Sequence, residues 1–144
     1  MENKMFCFQC EQTAGCAGCT QAGVCGKSAD TARLQDELTG ALIGLARATE
    51  SNPATQNTYQ TIIEGLFTTI TNVSFDDAAI IRQIEKTNAA KAELVPGCGS
   101  CGAPCGKTED YDMQQLWNDN EDIRSLKSLI LFGLRGMAAY AYHA

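Results

Sequence analysis

Cys7, Cys10, Cys19 and Cys25 follow the pattern C-x2-C-x8-C-x5-C within a glycine-rich stretch. A cubane iron–sulfur cluster takes four thiolates, usually a close pair plus two more delivered by loops. A two-residue spacer lets the sulfurs of Cys7 and Cys10 face one centre. Gly15, Gly18, Gly23 and Gly26 let the backbone curl and turn its N–H groups towards sulfur. The chemistry of such a nest is one-electron transfer.

Two other chemistries use the same residue types. Structural zinc accepts four thiolates, but zinc ribbons generally hold two close pairs a dozen or more residues apart, whereas five residues separate Cys10 from Cys16. Dithiol redox chemistry at a C-x-x-C pair normally sits beside a βαβ pattern, and no segment here has a period of two. Spacing favours the cluster and leaves Cys16 and Cys19 as equal candidates for the third ligand. A second set, Cys98, Cys101 and Cys105, lacks an obvious fourth member and reads first as free or packing thiols. The sharper alternative adds Cys16 to make a second four-thiolate site, Cys16, Cys98, Cys101 and Cys105.

Other chemistry-bearing residues read more plainly. Gly26-Lys27-Ser28 and Gly106-Lys107-Thr108 resemble the end of a phosphate loop. The glycine required five positions earlier is replaced by Gln21 and Cys101. Lys27 reads as a solvated side chain, with a counter-charge beside the cluster as the alternative. The repeated Cys-Gly-Lys-Ser/Thr is too short to mark a duplication. His143, alone near a chain end, reads as neither ligand nor acid. Trp117, Tyr140 and Tyr142 read as core or interface residues, and Asp119, Glu121 and Asp122 as charges that compensate a helix start.

The elements that must position the cysteines are helical. Residues 1–28 form the metal-binding loop. Asp30 opens a helix with Leu34, Leu38, Ala41, Leu42 and Leu45 on one face, broken by Ser51-Asn52-Pro53. A second helix fits Thr55 to Thr71, with Tyr59, Ile62, Ile63, Leu66, Phe67 and Ile70 as its buried stripe. A third starts at Asp76 or Asp77 and carries Ile80, Ile81, Ile84 and Leu94 to Pro96. Residues 30–96 thus hold three helices and residues 97–118 a second cysteine loop. Residues 119–144 form a long helix carrying Ile123, Leu126, Leu129, Ile130, Leu134 and Met137, in which Gly133 and Gly136 suggest a close neighbour. That helix reaches Ala144 without a capping signal and reads as cut short. The expected fold is one all-α domain, an antiparallel helical bundle with irregular cysteine-rich loops at one end.

Composition bounds the function class. A chain of 144 residues can bury about 68–70% of its unfolded surface and needs no disulfides to hold a core. A net charge of -6 argues against a nucleic-acid partner. Leu129 to Phe132 is too short an apolar run for a membrane span. Charge and cysteines occupy the first ten residues, where a secretory signal would be apolar, so reduced thiols in the cytoplasm are expected.

The stretch Met5-Phe6-Cys7-Phe8-Gln9-Cys10-Glu11-Gln12-Thr13, with Gly18-Cys19 and Gly23-Val24-Cys25-Gly26-Lys27, closely resembles the N-terminus of the hybrid cluster proteins, also called prismane proteins or hydroxylamine reductases. The similarity continues through Leu34-Gln35-Asp36, Asp122-Ile123-Arg124-Ser125-Leu126-Lys127-Ser128 and Gly133-Leu134-Arg135-Gly136-Met137-Ala138-Ala139-Tyr140. The resemblance implies a [4Fe–4S] cluster on Cys7, Cys10, Cys19 and Cys25, with Cys16 left outside, in a mainly helical N-terminal domain. It also implies a parent oxidoreductase that reduces hydroxylamine to ammonia, with nitric oxide reduction attributed to the family as well. Family members are several times longer, and their hybrid Fe–S–O cluster is held by His, Glu and Cys ligands in later domains that have no match here. The expectation is an electron-entry domain without the substrate-reducing centre, and so with no catalytic residue of its own. Its partners would be a soluble electron donor and the remainder of the parent enzyme. The alternative is a zinc-stapled helical binding or scaffold module without a redox role.

Overall fold

The computed structural model describes residues 5–10, 18–70, 74–95 and 109–144, and at Trp117 the backbone alone. Cys16, Cys98, Cys101 and Cys105, and with them the second four-thiolate site, lie outside the described residues, as does the Trp117 side chain. Among the described residues there are five helices and no strand, so the fold is all-α.

Helix α1 (Ala29–Ala48) starts where the Ser28 side chain accepts the Thr31 N–H at 3.0 Å. Thr55 and Thr58 form a reciprocal capping box at the head of α2 (Gln56–Thr68), and Asp76 caps α3 (Asp77–Leu94). The three pack side by side, α1 and α3 running the same way with α2 reversed between them. Thr31 donates to Asp77 at 2.6 Å at one end of the α1–α3 pair. Leu38 and Leu42 then meet Ile80 and Ile84 in one core cluster, and Leu45 and Ala48 meet Ala90 and Leu94 in the next. The order is opposite along α2, where Asn57 reaches Glu93 at 3.3 Å while Glu64 pairs with Lys86.

The expected stripe on α2 is displaced. Thr58, Thr61 and Gly65 are its buried residues, with Thr69 just beyond, while Tyr59 is 56% exposed. A Cβ on Gly65 would lie 2.6 Å from Leu42 Cδ2, so a small residue here lets α2 sit tightly on α1. Ile62 and Leu66 flank that contact, half-buried. On α3, Ile81 faces outward rather than joining Ile80 and Ile84.

A short helix, α4 (Met113–Asn118), occupies part of the expected second cysteine loop, capped by Asp112. The long helix α5 (Glu121–His143) is capped by Asn120. It buries only Arg135 and Ala138 and leaves Ile123, Leu126, Leu129, Ile130, Leu134 and Met137 exposed. Nothing among the described residues lies within 4 Å of a Cβ built on Gly133 or Gly136, so the close neighbour expected there is absent. Tyr140 is exposed rather than packed, and Tyr142 stacks on Phe67 with centroids 4.3 Å apart. His143 packs edge-on against both rings. No helix among the described residues is long and apolar enough to cross a membrane.

Candidate metal centre

The first cysteine segment folds onto the N-terminal end of α1. Met5 N–H donates to Thr20 O at 3.1 Å and Cys7 N–H to Cys19 O at 3.2 Å, a backbone pair that sets Cys7 beside Cys19. Both cysteines are buried with Met5 against Ala32. Gly18, at φ +85, leaves room for the Phe6 ring, which a Cβ would meet at 2.4 Å. A tight turn follows, closed by Gly23 N–H to Lys27 O at 2.8 Å, with Gly26 at φ +90. It holds Cys25 on the exposed side while Cys10 is half-buried. None of the four is in a disulfide. As they stand, no three Cys, His, Asp or Glu side chains among the described residues gather around a metal-sized gap. The backbone pair therefore joins Cys7 to Cys19, and Cys25 stands apart on its turn.

Beneath the thiols lies a buried polar network that sequence reading missed. Lys27 is 1% exposed, which corrects the expectation of a solvated lysine. Its ammonium donates to Gln35 Oε1 and to Gln9 Oε1 at 3.4 Å, and lies 4.0 Å from Cys7 Sγ. Gln9 accepts the Cys7 S–H at 3.0 Å and donates from Nε2 to Asp36 Oδ1 at 2.8 Å. Gln35 is anchored in turn on Ser74 O at 2.9 Å. From α5 the Arg135 guanidinium donates to Thr69 Oγ1 at 3.0 Å, to Phe8 O at 3.2 Å and to Thr39 Oγ1 at 3.2 Å. One side chain thus ties α5, the end of α2, α1 and the cysteine segment together.

Ionisation follows from this burial. Burial pushes the Cys7 thiol up, opposed by a hydrogen bond from the Gln9 backbone and by the Lys27 charge. Burial raises Asp36 to about 7, with the Gln9 hydrogen bond and the charges of Arg135 and Lys27 pulling the other way. Burial also lowers Arg135 to about 10. Among the described residues the two charged side chains that are fully buried are Lys27 and Arg135, and both are cations. Buried charge is costly unless it meets an opposite charge. The network answers two cations with one carboxylate whose proton is held to near neutrality. It has a surplus of positive charge directly under the thiols.

That surplus among the described residues fits an anionic thiolate-bound group, and Cys7, Cys10, Cys19 and Cys25 offer donors of the right type. In donor chemistry and in charge the residues suit an iron–sulfur centre. Gln9, Gln35, Asp36 and Arg135 carried one legible signal, since Gln35, Asp36 and Thr39 interrupt the buried face of α1 with polar groups.

The comparisons agree with this helical, cysteine-bearing architecture. The model of the Prismane/CO dehydrogenase family matches residues 5–144, and the chain belongs to that family. It is 42% identical over 164 aligned positions to a protein named hydroxylamine reductase from Porphyromonas gingivalis strain W83, covering 100% of this chain and 30% of that protein. Proteins of the same name from Methanococcus vannielii, 39% identical, and Desulfitobacterium hafniense, 40% identical, each match 97% of this chain and 29% of their own length. The chain therefore spans about 30% of the length of these curated relatives.

Proposed function

We propose that this chain is the iron–sulfur electron-transfer part of a hydroxylamine-reductase-like oxidoreductase, with Cys7, Cys10, Cys19 and Cys25 as ligands of a [4Fe–4S] cluster. The observation that carries the reading is the fully buried Lys27 ammonium 4.0 Å from Cys7 Sγ, a cation with no directly paired carboxylate among the described residues. When bound, such a cluster supplies reversible one-electron transfer at no cost in bond breaking. The protein's own residues do the rest. The Cys7–Cys19 backbone pair holds two donors at the buried end. The turn at Gly23–Lys27 carries Cys25 at the solvent side, where a soluble donor approaches. Arg135 fixes the Phe8 carbonyl, and so the segment between Cys7 and Cys10. The names of the relatives support a parent that reduces hydroxylamine. In this reading the reduction takes place at a hybrid cluster outside this chain, with electrons arriving through this part.

Anaerobic reconstitution with iron and sulfide tests the assignment. The loaded chain is expected to be brown, absorbing near about 400 nm, with iron and acid-labile sulfide in nearly equal amounts. Cys7→Ser and Cys19→Ser should each lose most of both. Zinc held at one per chain without sulfide would overturn the reading in favour of a structural site.

A further inference from the structure

Lys27 differs from every other cation in this chain's described ion pairs, because its hydrogen-bond partners are neutral. They are the amide oxygens of Gln35 and Gln9 and the sulfur of Cys7. Asp36 is joined to it only through Gln9, which offers its oxygen to Lys27 and its Nε2 to Asp36. The other described lysines, by contrast, pair directly with carboxylates, Lys86 with Glu64, Lys91 with Asp110 and Lys127 with Asp119. Arg135 is spent on a backbone carbonyl and two hydroxyls that lock helices together. Lys27 joins only its own turn and the cysteine segment to α1, through Gln9 and Gln35. It sits on a turn whose closing bond is made by its own backbone, and its side chain is the sole fully buried ammonium among the described residues.

Resting on the cluster assignment above, we propose that Lys27 is the counter-charge that sets the reduction potential of this site. It acts through Cys7 and is not itself a ligand. A one-electron donor adds one negative charge to the thiolate-bound centre, with no bond made or broken. A fixed ammonium 4.0 Å from one ligand sulfur opposes that added charge in a region shielded from water. Lys27 therefore favours the reduced state and raises the potential. Gln9 and Gln35 hold the ammonium in place without neutralising it, which is what two amides do and two carboxylates would not. The extra charge is spread over a whole cluster, so the effect is expected to be tenfold or more in the oxidised-to-reduced ratio. Tenfold corresponds to about 59 mV for a one-electron couple.

The test is a redox titration, followed optically and by electron paramagnetic resonance, of the reconstituted 144-residue chain with dithionite as reductant. Lys27→Met and Lys27→Arg are compared with the parent. The expected result is a potential lower by at least tenfold in that ratio for Lys27→Met, and within threefold of the parent for Lys27→Arg. Loss of the cluster from Lys27→Met with retention in Lys27→Arg also supports the counter-charge. A Lys27→Met cluster that titrates with the parent overturns the proposal and leaves the cluster assignment standing. Loss of the cluster from both variants overturns it too, since a packing role explains that outcome. A parent chain that takes up no iron and sulfide overturns the cluster assignment itself.

Discussion

Substituting Asp36 by asparagine should remove most of the pH dependence of the metal-free fold between pH 4 and 7. An ordinary aspartate ionises near 3.8, whereas burial holds the folded Asp36 proton to about 7. Between those values the folded chain binds one more proton than the unfolded chain, so stability falls as pH rises. The contribution is whole below 3.8 and gone once pH passes about 7. At about 1.4 kcal/mol per pH unit, the gap is worth about 4 kcal/mol. That is a large fraction of the stability of a domain this size. Glu64 works the other way, because Lys86 holds it below the usual carboxylate range, and its effect lies at the acid edge of the window. The assay is denaturant unfolding of the reduced, metal-free chain at several pH values, followed by circular dichroism. Asp36→Asn keeps an acceptor for Gln9 and should give a nearly flat profile. Parallel slopes for the parent and Asp36→Asn would refute the assignment of the buried proton to this carboxyl.

Two substitutions test the backbone that frames the site. A Cβ at Gly40 would lie 2.3 Å from the carbonyl oxygen of Tyr111, whose N–H bonds Gly40 O at 3.1 Å. Gly40→Ala should therefore cost about 1–3 kcal/mol in denaturant unfolding, since backbone must yield. Gly26 stands at φ +90 with open space around it, so Gly26→Ala should cost about 1–2 kcal/mol from conformation alone. Gly26→Asn should recover part of that loss in the same measurement.

The bundle was legible because its signals are local. Asp76 sits where a cap for α3 was expected, Leu38 and Leu42 lie on the face that periodicity assigned to them, and Ser51-Asn52-Pro53 follows α1 as a break. The α2 interface was legible only in part, because Ile62 and Leu66 of the apolar stripe pack on the core clusters while the most buried positions are threonines and Gly65. Small size sets how closely α2 approaches α1. The apolar stripe of α5 reads as core in any count of residues, yet among the described residues little packs against it. The cysteines offered a candidate chemistry by type and spacing alone. The buried charges did not, because Lys27 and Arg135 are separated by more than a hundred residues and meet only through the fold.

The shared direction of α1 and α3 has an electrical consequence. A helix dipole acts chiefly through its terminal turn, so what counts is which ends meet at the site. The amide-positive ends of α1 and α3 lie together, joined by the Thr31–Asp77 bond, at the end that bears Cys7 and Cys19. Each such end is worth about half a positive charge. That paired end attracts electrons locally, and it is the end where the sulfurs of Cys7 and Cys19 sit.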